Sequence, residues 1–461
     1  MTAIQLISPV DGSVWATRMP FDLEKAEAAV VRARRVQPAW AALPLEDRIT
    51  AVRGGVAKLN EMKDQLVEEL AWQMGRPISF GAGEFSGVTQ RTEYLAAIAA
   101  EGLAPVVVED SPRVRRVAAR EPAGVVLIIA SWNYPFLTVI NTLIQALIAG
   151  NSVLLKHASQ TLVAGERLAE AFHNAGVPPE IFQNVVLDHE TTEALIAARS
   201  FDFIRFTGSV EGGRAIERAA AGTFTRIGLE TAGKDPGYVR DDADLDAAVD
   251  GLMDGSMFNS GQGCSRVERI YVQQDRFDDF VEKAVVWVEG LRLGSPFDPA
   301  TTLGPMAKPH IAQRVRDHVA EAVATGARAL ISPDGFRADD GAAYLAPQVL
   351  IDVDHSMRVM KDETFGPVVG IMKVSSDDEA ISLMNDSRYG LTCSIWSGDV
   401  GAVEKIGARV QTGTVYMNRC DYLDPALGWT GCKDSGHGIA LSHLGYHAVT
   451  RPKSYYLKRN R

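Results

Sequence analysis

The chain has 461 residues, 46% of them hydrophobic and 23% charged, with a formal net charge of −11. That length suggests two or three domains at roughly 100–200 residues each, and the acidic balance disfavours nucleic acid and anionic membrane surfaces as partners. Four cysteines (Cys264, Cys393, Cys420, Cys432) are too few for a disulfide framework, the apolar runs fall far short of the ~20 residues of a membrane span, and "MTAIQLISPVDGSVW" lacks a basic-then-apolar leader, so a cytoplasmic protein is expected.

Two helical patterns open the chain, residues 22–43 and 46–76, with apolar side chains every three or four positions. From residue 113, "RVRRVAAREPAGVV" has no helical stripe and reads as extended chain. A regular alternation follows: strand "GVVLIIA", helix "FLTVINTLIQALIAG", strand "SVLLK", helix "TLVAGERLAEAFHNAG", strand "NVVL", helix "TTEALIAAR", strand "FIRFTG", helix "VEGGRAIERAAAG" and strand "RIGLETAG". Continuously apolar strands separated by helices predict a parallel, doubly wound sheet. A second α/β unit is predicted from helices "DLDAAVDGLMDGSMFNSG", "FDDFVEKAVVWVEGL", "IAQRVRDHVAEAVATG" and "DEAISLMNDS", with strands "ERIYVQ", "VVGIMKV" and "GTVYMN". The basic end "RPKSYYLKRNR" alternates like an edge strand. The predicted fold is therefore α/β, with two doubly wound Rossmann-like domains and a small β arm.

Five segments could carry chemistry. Asn133, in "ASWNYPF", leaves the first buried strand; its amide either satisfies local backbone or donates to a developing oxyanion. Lys156 ends the next strand, where open α/β sheets bind ligands, and is either solvated or a phosphate or ribose contact. Ser209, in "FTGSVEGG", is either a helix cap or part of an anion site at the helix N-terminus. Glu230 ends another strand and is either salt-bridged or kept for proton transfer. Cys264 sits in "FNSGQGCSR", too poor in packing side chains for an inert core thiol; Cys393, in apolar "GLTCSIW", fits that inert role. His443 and His447 share a helical spacing but lack a third ligand, so no metal site is expected.

In their order along the chain, "WNYPF", "FTGS", "LETAGK", "NSGQGC", "DETFGP" and "GCKDSGHG" together resemble the aldehyde dehydrogenase superfamily. The resemblance covers nearly the whole chain. It implies that Cys264 attacks an aldehyde to give a thiohemiacetal. Asn133 and the Cys264 backbone would hold the oxyanion, hydride would pass to a nicotinamide, and Glu230 would activate water against the resulting thioester. It assigns the cofactor to Ser131, Trp132, Lys156, Ser159, Gly208, Ser209, Glu363 and Phe365. It places Tyr134, Asn141, Cys420, Tyr422 and Trp429 near the substrate channel. Relatives that pass the acyl group to coenzyme A usually lack the glutamate, so Glu230 favours hydrolysis to a free acid.

Two departures stand out. Ser159 occupies a position where the family often has an acid that repels a 2′-phosphate, so either NAD or NADP is expected. Thr231 and Ala232 replace the usual Leu-Gly beside the nicotinamide site. Three aromatics near the channel suggest an aromatic or medium aliphatic aldehyde. Arg419 suggests a semialdehyde, unless it serves a structural ion pair. The expected division is residues 1–103 and 123–232 for the dinucleotide, 233–432 for the nucleophile, and 104–122 with 445–461 as an oligomerisation arm of a homodimer or homotetramer.

Overall fold

The computed structural model describes residues 2–336, 338–339 and 341–459. Met1 and the last two residues of the predicted basic arm, Asn460 and Arg461, lie outside the described residues. Among the described residues, a first sheet runs Gly436–His437, Arg226–Glu230, Phe203–Thr207, Val125–Ile129, Ser152–Lys156, Phe182–Asn184. All neighbours are parallel except Gly436–His437. The strands of residues 125–129 and 203–207 are buried throughout; the first reads as an unbroken apolar run, and the second is interrupted by Arg205. The expected strand "NVVL" is shorter and earlier, at Phe182–Asn184.

A second sheet runs Arg328–Ala329, Gln348–Ile351, Val368–Val374, Val267–Gln273, Asp235–Val239, Thr392–Trp396, Thr414–Met417, antiparallel only at Arg328–Ala329. Two apolar cores flank this sheet, one built on Tyr238, Tyr271 and Ile395, the other on Val239, Val272 and Phe280. Both sheets make a mixed α/β architecture of Rossmann-like parallel layers. Thr450–Lys458 pairs antiparallel with Val114–Pro122, which pairs with Val106–Asp110, so the extended segment and the basic end do form one β arm. No helix among the described residues is long and apolar enough to cross a membrane.

The helical pattern 46–76 is two helices, Leu45–Glu61 and Lys63–Met74, broken at Met62. The helix expected to continue through "FNSG" stops at Met257. Asn259 and Ser260 then take left-handed backbone angles (φ 55° each), which costs energy for residues with a Cβ and turns the chain sharply into Cys264.

Candidate active site

Parallel sheets gather their strand ends on one edge, and the candidate residues arrive there from separate strands. Asn133 follows Val125–Ile129, Lys156 closes Ser152–Lys156, and Glu230 closes Arg226–Glu230 opposite Thr207. Cys264 comes from the other sheet's side, between the helix Leu245–Met257 and the strand Val267–Gln273.

Close backbone approach sets the glycines around Cys264. Gly261 has φ +69°, and a Cβ on it would collide with the backbone of Gly366 and Pro367. A Cβ on Gly233 would collide with the Cys264 carbonyl oxygen. The "NSGQGC", "TAGK" and "FGP" segments thus pack main chain against main chain.

A buried polar network holds this junction. Arg76 pairs with Glu84 and donates to the Asn133 carbonyl and, at 3.2 Å, to Asn259 Oδ1. Glu84 in turn accepts from the Phe136 and Leu137 N–H groups at 2.8 and 3.1 Å. Lys234, Arg266 and Glu268 form a second buried cluster. Glu268 accepts from the Thr364 and Phe365 N–H groups, fixing the loop in which Phe365 has φ 58°. Burial opposes the charge of Glu268, but Arg266 and Lys234 outweigh it and hold the carboxyl down to about 2.

The Cys264 thiol lies 3.9 Å from Glu230 Oε1. Burial, followed by the negative charge of Glu230, pushes the thiol well above its ordinary range. The other Glu230 oxygen accepts from Arg205 Nη2 at 2.9 Å. Both readings of Glu230 therefore have a geometric counterpart: it is salt-bridged and it faces the thiol. Asn133 is buried, and its Oδ1 accepts from Ser131 Oγ at 2.8 Å, which leaves its NH₂ group as the free donor.

All eight residues assigned to the cofactor line one cavity of about 660 Å³, together with Asn133 and Cys264. Trp132 and Phe365 meet edge-on there, with centroids 5.4 Å apart. Ser209 caps its helix, accepting from the Gly212 N–H at 3.1 Å, while also lining the cavity. Burial lowers the Lys156 ammonium and raises the Glu363 carboxyl to about 8. Glu363 accepts from the Gly233 N–H at 3.0 Å. Thr231 and Ala232 are buried in the cavity wall, tied to Asp434 and Ser435 of the "GCKDSGHG" loop.

The five residues expected at the substrate channel do not line this cavity. Tyr134 lies under the Arg76 guanidinium, 4.8 Å from its ring centre. Asn141 accepts from Arg91 Nη1 at 2.6 Å, and the Tyr422 hydroxyl accepts from Gln90. The Cys420 thiol donates to the Gly251 carbonyl at 3.1 Å, and Trp429 is buried in the main core. Arg419 departs from expectation. No ion pair forms among the described residues; its guanidinium stacks 3.5 Å over the Tyr422 ring, while the loop's carboxylates accept elsewhere, Asp421 from Ser265 Oγ and Asp424 from the Ala426 N–H.

Arg76, Glu84, Arg91, Arg205, Glu268 and Asp421 were not anticipated. Asp421 accepts from Ser265 Oγ at 2.7 Å, and burial raises it to about 6. Arg205 left a signal: a cation inside an apolar strand requires a buried anion. The others left none: Arg91 and Asp421 meet partners far away in sequence, and nothing in the local pattern shows that Arg76, Glu84 and Glu268 are buried. Among the described residues no cluster of three or more His, Cys, Asp or Glu could hold a metal; His443 and His447 only stack, 5.9 Å apart.

The family model described as the aldehyde dehydrogenase family matches residues 1–455. Over 449 residues the chain is 31% identical to a succinate-semialdehyde dehydrogenase, NADP(+), of Deinococcus radiodurans, covering 97% of this chain and 93% of that protein. It is 34% identical over 439 residues to geranial dehydrogenase of Castellaniella defragrans, covering 95% and 91%. The solved structure of an NAD-dependent aldehyde dehydrogenase from Sinorhizobium meliloti superposes with a TM-score of 0.95 at 29% identity, covering 100% of this chain and 92% of that one. Matched along its length in both sequence and fold, the chain belongs to the aldehyde dehydrogenase family.

Proposed function

We propose that this protein oxidises an aldehyde to the free carboxylic acid with NAD or NADP, through Cys264, Glu230 and Asn133. One observation carries the reading: Cys264 stands at the meeting point of the large cavity and the Glu230 carboxylate, 3.9 Å from its oxygen.

The cavity residues fit a dinucleotide. Gly208 leaves the entrance to the helix Val210–Ala220 bare, and a Cβ there would lie 2.7 Å from the Phe206 ring. Helix N–H groups suit a pyrophosphate. Lys156 and Glu363 would hold ribose hydroxyls, and Trp132 and Phe365 would flank the groove. Ser159 brings no acid against a 2′-phosphate, so both dinucleotides fit. Bound there, the nicotinamide would supply the hydride acceptor.

The chain's own groups perform the remaining steps. Cys264 Sγ bonds to the carbonyl carbon as its proton leaves toward Glu230. Asn133 Nδ2 and the Cys264 N–H donate to the oxygen that gains charge. Cys264 then carries the acyl group as a thioester. Glu230 takes a proton from water as the new C–O bond forms; the C–S bond breaks and the acid departs. Retention of a glutamate facing the thiol supports hydrolysis over transfer to coenzyme A.

The substrate is an aromatic or medium aliphatic aldehyde, a reading supported by the aromatic side chains Tyr134, Tyr422 and Trp429 that the family resemblance assigns to the channel. A semialdehyde is the second reading. Arg91, rather than Arg419, favours it: Arg91 is a buried cation that donates to Asn141 and has no ion pair among the described residues. The exposed Val106, Val107, Val108 and Tyr456 of the β arm support a homodimer or homotetramer.

An aldehyde panel run separately with NAD and NADP tests the reading. Acid formation with one class supports it; no turnover with any aldehyde sinks it. Arg91→Gln should raise KM for a semialdehyde alone if the second substrate reading is right.

A further inference from the structure

We propose that Arg205 is the positioning residue for Glu230: its guanidinium pins one carboxylate oxygen so that the other is presented to Cys264. This rests on Glu230 being the base that activates water.

Arg205 lies within the strand Phe203–Thr207, between buried Ile204 and Phe206. In the sheet register Arg205 pairs with Gly228 and Thr207 with Glu230, so Arg205 and Glu230 project from the same face. Gly228 has no side chain to block the path. A Cβ on it would sit 3.1 Å from Arg205 Nη1, so the arginine can lie along the sheet and reach Glu230. Nη2 meets Oε2 at 2.9 Å, with both side chains almost wholly buried (3% and 5% exposed). Oε1 remains, and faces the thiol at 3.9 Å.

Glu230 is the only hydrogen-bond partner of the Arg205 side chain among the described residues, and Nη1 is buried without any. A guanidinium left half-satisfied in a buried strand costs more than the aliphatic residue its neighbours would suit. Packing therefore does not explain it; its hold on Glu230 does. With the carboxylate anchored, water entering beside the acylated sulfur meets a fixed acceptor. As the water oxygen bonds to the carbonyl carbon, its proton goes to Glu230 and the C–S bond breaks.

Rapid-mixing kinetics on Arg205→Gln, Arg205→Lys, Glu230→Gln and the Arg205→Gln/Glu230→Gln pair test this. Arg205→Gln should slow acyl-enzyme hydrolysis about 10- to 100-fold, part of what a general base contributes. The dinucleotide Kd should stay near wild type, and the NAD(P)H burst should keep its amplitude, with its rate lowered no more than hydrolysis, because Glu230 also takes the thiol proton. Arg205→Lys should recover part of the loss, and the double variant should be no slower than Glu230→Gln. Wild-type hydrolysis in Arg205→Gln, alongside a slowed Glu230→Gln, would overturn the proposal while leaving the role of Glu230 intact. So would a double variant slowed by the product of both factors. Normal hydrolysis in Glu230→Gln would instead remove the premise. If Arg205→Gln does not fold, Gly228→Ala, which crowds the guanidinium without changing charge, must slow the same step; an unaffected step overturns the proposal.

Discussion

Glu230 presents one carboxylate oxygen to the Cys264 sulfur at 3.9 Å, and its charge adds to burial in keeping that thiol protonated in the free protein. On the proposed function, this arrangement would store the nucleophile as a thiol beside an acceptor for its proton, instead of as a standing thiolate.

A pH dependence follows. Because the thiol is raised, the thiolate fraction at about neutral pH is small and grows about tenfold per pH unit. Alkylation of Cys264 by iodoacetamide should keep accelerating from about pH 7 to 9 without a plateau. Glu230→Gln removes one of the raising charges, so its curve should lie at lower pH. A plateau below about pH 8 in the wild type would contradict this.

The Lys234–Glu268–Arg266 cluster should govern acid stability. Glu268 is held down to about 2 against an ordinary 4.5, so its contribution is present above about pH 4.5 and lost as pH falls toward 2. Glu268→Gln leaves two buried cations without their carboxylate and should cost about 3–5 kcal/mol at neutral pH. Urea unfolding across pH measures both, and the variant's stability should fall less steeply in acid than the wild type's.

Backbone contact at the nucleophile gives a third expectation. Gly261→Ala must adopt a left-handed angle and displace Gly366 and Pro367. It should lose activity and about 2 kcal/mol or more of stability, a value at the severe end for one methyl group. A variant with wild-type turnover and melting temperature would show that the two loops are not packed main chain to main chain.

The cavity proposed for the dinucleotide gives a fourth. Lys156→Met removes a charged donor worth about 1.5–3 kcal/mol, so Kd for the dinucleotide should rise about tenfold or more. Ser159→Glu places a like charge where a 2′-phosphate would come, so it should weaken NADP more than NAD. Calorimetric titration with each nucleotide reads both.

Much of this was legible in the sequence, for physical reasons. Strands such as Val125–Ile129 are buried on both faces, so their apolar runs identify themselves. Asp235–Val239 does not: "DPGYV" offers no apolar run, yet lies centrally in the second sheet, fully buried. Tertiary packing overrides local preference there. The hairpin of Ile4–Ile7 and Val14–Arg18 is short and half-exposed, with no clean alternation to read. At the site, Cys264, Glu230 and Asn133 stood out through motif order. Arg76 escaped notice because its burial, and its bonds to Asn133 and Asn259, depend on segments 57 and 183 residues away.

The central claim, a thioester on Cys264 hydrolysed with help from Glu230, is tested most directly by intact-protein mass spectrometry. Glu230→Gln is mixed with an aldehyde and NAD or NADP, then quenched. The predicted result is one acyl group accumulating on Cys264, matched by one NAD(P)H, with neither formed by Cys264→Ala. Acid production by Cys264→Ala at the wild-type rate would contradict the account.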